Sequence, residues 1–131
     1  MGEGDWRLRA IRGATTVTSN TIDSVTTAVD EMLDALEAHN PIEPSQIVSV
    51  TFSVTPDVDA VFPAKIARQR PGWDRVPLLD LQQMTVPGSL PCCIRILIQI
   101  NTTLPQSAIV HRYLRKAQYL RPDLNTVTSN Q

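Results

Sequence analysis

The sequence predicts one α+β domain at residues 1–124, a mixed β-sheet with helices on one face, and a polar tail at 125–131. Three observations predict it. Residues 21–38 bring apolar side chains back at helical spacing. Residues 47–54 and 92–101 are rich in β-branched side chains, and the second alternates as a strand does. Strand-like and helix-like segments follow one another without internal repeat, in the order β, α, β, short α, β, β, α.

Leu8, Ala10, Arg12 and Ala14 alternate with Arg9, Ile11 and Gly13, the pattern of a first strand ending at the turn-like run Gly13-Ala14-Thr15-Thr16. Arg12 thereby shares a face with small apolar residues. Ile22, Val25, Val29, Met32, Leu33 and Leu36 then mark a helix from Thr21 to about Ala38, with Asn20 or Thr21 as its cap. Pro41 and Pro44 break the chain before a second, central strand at Ile47 to Val54. Thr55-Pro56-Asp57 is a turn, and Pro63 suits the first position of a short helix to about Gln69, stopped by Pro71-Gly72. Lys65 and Arg68, three apart, share a face of that helix. Val76 to Met84 reads as a third strand, Pro87-Gly88-Ser89 as a loop, and Cys92 to Asn101 as a long strand with Ile94, Ile96, Ile98 and Ile100 on one face and Arg95 on the other. Gln106 to about Gln118 reads as a second amphipathic helix with Ile109, Val110, Tyr113, Leu114 and Ala117 on its apolar side. Helices on one face leave the other sheet face in need of a partner, which predicts an oligomer.

Composition narrows the function classes. At 131 residues, 42% apolar and 19% charged, the chain suits a single soluble globular domain. Its longest strongly apolar stretch, Cys92 to Ile100, is interrupted by Arg95 and Gln99 and is half the length of a spanning helix, so no membrane partner is expected. The run Met1-Gly2-Glu3-Gly4-Asp5-Trp6 lacks the apolar segment of a secretory signal, which predicts a cytoplasmic protein. A formal charge of −1 and scattered arginines argue against nucleic acid. Ten arginines against two lysines hint at an anionic ligand, with solvated or ion-paired surface arginines as the plainer account. Neighbouring Cys92 and Cys93 point to opposite faces of a strand and are not expected to bond to each other. With His39 and His111 far apart, no zinc-type ligand spacing exists and no metal is expected. His39 fits a helix C-terminus and His111 lies in the last helical stretch, both read as structural.

The standard catalytic constellations are missing from the sequence. The glycines form no phosphate loop, no nucleophile elbow or Cys-His pair has a recognisable spacing, and Ser107 with His111 lacks a third member. What stands out is Arg95, mid-strand in an apolar run, where an unpaired charge is costly. It must meet a carboxylate, a partner chain or a ligand.

Ile11-Arg12-Gly13-Ala14-Thr15-Thr16, Thr55-Pro56-Asp57 with Ala60-Val61-Phe62-Pro63-Ala64-Lys65, Cys93-Ile94-Arg95, and Tyr113-Leu114 with Leu120-Arg121-Pro122-Asp123-Leu124 together resemble the monofunctional bacterial chorismate mutases. The similarity runs from about Leu8 to Leu124 in one register. It implies an α+β homotrimer resembling an α/β barrel, distinct from the all-helical mutases, with active sites between subunits. It further implies rearrangement of chorismate to prephenate, in phenylalanine and tyrosine biosynthesis, without a cofactor. By the same resemblance Arg95 reaches the ether oxygen of the breaking bond and a carboxylate of chorismate, and Arg12 and Tyr113 hold the enolpyruvyl carboxylate. Phe62 and Leu120 form apolar walls, while Lys65, Arg68 and Arg121 attract the dianion.

The chain departs from the family pattern at two positions. Gln83 stands where a glutamate commonly accepts a hydrogen bond from the ring hydroxyl, and Asp80 stands where a cysteine is common. A local bend is expected to bring Asp80 and Gln83 to that hydroxyl together, with the carboxylate relocated to Asp80. Two other readings stand beside the mutase one: a trimeric imine or enamine deaminase of similar fold, which these motifs fit poorly, and a catalytically silent binding module for aromatic-pathway acids, which the two departures keep open.

Overall fold

The computed structural model describes residues 5–123; Leu124 and the tail expected at 125–131 lie outside the described residues. Five strands form one mixed sheet: β1 (Arg7–Thr16), β2 (Ile47–Val54), β3 (Leu78–Gln82), β4 (Cys93–Thr102) and β5 (Arg112–Tyr113). Their order is β3-β2-β4-β1-β5, with β4 antiparallel to both β1 and β2, and β3 and β5 parallel to β2 and β1 at the two edges. Helices α1 (Ile22–His39) and α2 (Pro63–Arg68) cover one face.

Thr21 caps α1, its hydroxyl accepting from the Ser24 amide at 3.1 Å, and His39 stands in the last turn, where a cation suits the helix dipole. Val25, Ala28, Val29, Met32, Leu33 and Leu36 are all buried, packing α1 on Ile11 of β1, Phe52 of β2 and the isoleucines of β4. This is the helix and core that the apolar spacing predicts.

Three expectations are corrected. The run Gly13-Ala14-Thr15-Thr16 is no turn: it pairs with Ile96, Arg95, Ile94 and Cys93 as the end of β1. Gly13 is there for close packing, since a Cβ on it would lie 3.0 Å from Ile96 Cγ2 and 3.1 Å from Leu36 Cδ1. β3 is shorter than Val76 to Met84, because Val76 closes a turn, donating its amide to the Trp73 carbonyl at 3.1 Å, and packs into the core.

The third correction is larger. Gln106 to Gln118 is not a helix but two 3₁₀ turns, Gln106–Ala108 and Arg115–Tyr119, flanking β5. Side-chain-to-backbone bonds at its start hold it extended, joining it to β1 and to the end of α1. The Gln106 amide bonds both the N–H and the C=O of Ala10, at 3.1 and 2.7 Å, and Asn40 does the same for Val110, at 2.9 and 2.8 Å. Tertiary partners here outbid helical spacing.

Candidate active site

The open face of the sheet carries the first group of site residues. One register line crosses all five strands through Leu81, Ser53, Arg95, Ala14 and Tyr113. Arg95 is exposed on it, and among the described residues no carboxylate forms an ion pair with it. Cys93, two residues earlier on the same strand face, is buried; burial pushes its thiol up, and the Arg95 charge opposes the rise. Leu79, Leu81 and Leu97 of the same face are exposed large apolar residues. The unpaired sheet face that the sequence predicts is therefore present, with Arg95 in it.

A second group sits where β1 meets β5. Tyr113 is buried against Ala14, Ala117, Leu90 and Leu120, a small apolar cluster separate from the main core. Arg12 occupies the next open-face position of β1. Its backbone N–H donates to Nδ1 of His111 at 2.9 Å, which places His111 in an extended segment rather than a helix. Burial, with the charges of Arg12 and Arg121 adding to it, lowers the His111 pKa from 6.5. Arg121, nearby, forms a two-point pair with Asp123 at 3.1 and 2.9 Å.

The His111 bond has a pH consequence. The folded state holds the imidazole neutral more strongly than the unfolded chain does, so this contribution is present above pH 6.5 and is lost as the pH falls through the lowered folded value. Thermal unfolding should show a stability slope below pH 6.5 that His111→Gln removes, since glutamine can still accept from Arg12 but does not titrate.

The third group lies at the β3 edge. Phe62, 69% exposed, precedes α2 and lines a cavity of about 540 Å³ with Thr55, Lys65, Asp80 and Gln82. Phe62, Lys65, Asp80 and Arg68 line an adjoining one of about 460 Å³. Asp80 Oδ1 accepts from the Ala64 amide at 3.0 Å, satisfying one of the unpaired N–H groups of the first turn of α2. Burial raises its carboxyl pKa, and the Ala64 bond and then the Arg68 charge act against the rise.

The bend expected to join Asp80 and Gln83 does not form. β3 is regular through Gln82, and the Gln83 amide extends the ladder by donating to the Val54 carbonyl at 2.9 Å. Residues three apart on a strand face opposite ways, so Asp80 turns toward α2 while Gln83 turns to the open face that carries Arg95. Oε1 of Gln83 is buried and has no hydrogen-bond partner among the described residues.

Comparison with known proteins decides what this arrangement belongs to. Residues 8–124 match the family described as Chorismate mutase type I. The chain is 40% identical over 124 residues to the chorismate mutase AroH of Bacillus subtilis, covering 95% of this chain and 98% of that protein. It is 45% identical over 120 residues to the AroH of Thermus thermophilus, covering 91% and 98%. A solved chorismate mutase structure from Clostridium thermocellum superposes with a TM-score of 0.80 at 41% identity, covering 84% of this chain and 97% of that one. The chain belongs to the type I chorismate mutase family. Chorismate mutase activity follows with that membership, and the α+β fold with it.

For a chorismate mutase of this type, the single chain is notable for what it keeps apart. Arg12, Arg95, Tyr113, Leu120 and Arg121 gather on the open face and the β1–β5 edge. Phe62, Lys65, Arg68 and Asp80 gather at the β3 edge. Strands lie about 4.8 Å apart, so β3 is roughly 14 Å from β1. Sequence reasoning also missed the work of two residues. Asp57 accepts from the Cys92 amide with both carboxylate oxygens, at 3.1 and 3.0 Å, while Thr55 Oγ1 accepts from the Cys93 amide at 2.9 Å. They lock the turn after β2 onto the start of β4, two residues from Arg95. The only cue was the block Thr55-Pro56-Asp57 itself. Among the described residues no helix is long and apolar enough to cross a membrane.

Proposed function

We propose that the protein is a cytoplasmic homotrimer that rearranges chorismate to prephenate at sites between subunits, by electrostatic stabilisation and conformer selection. The observation that carries the reading is Arg95, exposed on an apolar strand face with no carboxylate paired to it among the described residues. A [3,3] rearrangement transfers no proton and needs no nucleophile. As the C–O bond lengthens, negative charge gathers on the ether oxygen, and a fixed cation held in a dry site favours that state over the ground state. Arginine cannot lose its proton there. A rate gain of about 10⁶ corresponds to roughly 8 kcal/mol. Arg95 at the ether oxygen supplies the electrostatic part. Arg12 and Tyr113, clamping the enolpyruvyl carboxylate, supply the orientation that selects the compact conformer. Phe62 and Leu120 wall the reacting carbons, and Lys65, Arg68 and Arg121 draw in the dianion. Loss of chorismate absorbance with prephenate appearing tests the reading; an unchanged substrate would leave a binding module.

At the ring hydroxyl we assign the acceptor to Gln83, on the face that carries Arg95, whose Oε1 has no partner among the described residues. Asp80 is committed to the Ala64 amide and supports α2. Asp80→Asn, which keeps an acceptor for that amide and removes a desolvated charge, is expected to leave kcat/KM within about threefold. Gln83→Ala is expected to lower it about threefold to tenfold, the worth of one neutral hydrogen bond. Steady-state kinetics of the two variants decides the point; a large loss in Asp80→Asn alone returns the hydroxyl to Asp80.

A further inference from the structure

The segment that bears Tyr113, Leu120 and Arg121 joins the sheet through a short strand. β5 has two residues, and beyond them the Leu114 amide donates to the Ala14 carbonyl at 2.8 Å. The next residue, Arg115, has φ +51°, the left-handed conformation that side chains other than glycine rarely adopt. That backbone turns its guanidinium back across the fold. Nε donates to Glu31 Oε1 of α1 at 3.0 Å, Nη2 reaches Oε2 at 3.5 Å, and Nη1 donates to the carbonyl of buried Thr16, at the end of β1, at 2.9 Å. An exposed ion pair is worth little by itself. Here it is joined to a backbone carbonyl, in a residue whose conformation has to be held by its surroundings.

We infer that Arg115 is a positioning residue: its bonds to Glu31 and Thr16 latch the turn Arg115–Tyr119 onto α1 and the end of β1, and so keep Tyr113, Leu120 and Arg121 in place before substrate arrives. The inference rests on the reading that these three contact the substrate. A free enzyme with the latch open must order the turn on binding, so its apparent affinity falls by the fraction that is competent, while the saturated complex is unchanged. The effect belongs in KM rather than kcat.

Arg115→Gly removes the side chain and leaves a residue at ease with φ +51°. Hydrogen exchange at the amides of Leu114, Ala117 and Leu120 should speed up about tenfold, KM for chorismate should rise about fivefold, and kcat should stay within about twofold. Glu31→Ala, on a helix remote from the substrate residues, should shift exchange and KM the same way and be less than additive with Arg115→Gly. Unchanged exchange overturns the latch. Tyr113→Phe separates the remaining outcomes: if it raises KM while Arg115→Gly speeds exchange without raising KM, Arg115 does not position the site. If neither variant raises KM, the substrate assignment of this segment is wrong and the inference falls with it.

Discussion

Arg95→Lys is expected to lower kcat by about 10² to 10³ with a much smaller change in KM, the scale of losing one transition-state donor in a preorganised site. Lysine keeps the charge but not the fork, and it cannot span an ether oxygen and a carboxylate from the same backbone position. The local setting sharpens the argument. Arg95 is flanked in register by Ser53 and Ala14, small side chains that leave its guanidinium unobstructed, and its neighbour Cys93 is anchored through Thr55. A lysine there keeps its strand position, so a loss confined to kcat reports the lost second contact rather than a collapsed fold. Michaelis kinetics together with an unchanged thermal midpoint is the check. Near-native kcat would remove Arg95 from the reacting oxygen.

Arg68→Ala and Arg95→Ala subunits, each nearly inactive alone, are expected to regain about a quarter of native activity when mixed equally under exchange conditions. In the proposed intersubunit site Arg95 comes from one chain, intact in half of the subunits, and Arg68 from its neighbour, intact in the other half, so about one site in four would be whole. Within one chain the two arginines stand apart. Arg68 projects from α2 beside the β3 edge, whereas Arg95 stands two strands away on the opposite face of the sheet, roughly 10 Å across the strand direction alone. Leu79, Leu81 and Leu97 are exposed on that face, an apolar surface that the proposed trimer would bury. No recovery on mixing, or an active monomer by light scattering, rules out the intersubunit site.

Much of the fold can be read from the chain because burial is written into its periodicity. α1 shows it best: six apolar positions predict its inward stripe, and all but Ile22, at its first residue, are buried. β4 follows the same logic, with its isoleucines inward and Arg95 outward. Where local pattern and tertiary contact disagree, contact wins. Residues 109–117 repeat at helical spacing, yet Asn40 holds Val110 to the end of α1, and His111 and the preceding Gln106 bond β1, so that the stretch runs extended along the sheet edge. The run at Gly13 has turn composition, yet Gly13 is placed for Ile96 and Leu36.

By itself the sequence determined the α+β class, the central helix and strands, the placing of an arginine in an apolar strand and the family to which its motifs belong. Only the tertiary structure decided that Asp80 serves α2 while Gln83 faces Arg95, that His111 holds the Arg12 amide, and that Arg115 clasps α1. The physical reason is range. Periodicity and turn chemistry act over a few residues and leave a trace in the neighbouring sequence. A hydrogen bond between groups nearly a hundred residues apart, such as Arg12 to His111, leaves none until the sheet brings them together.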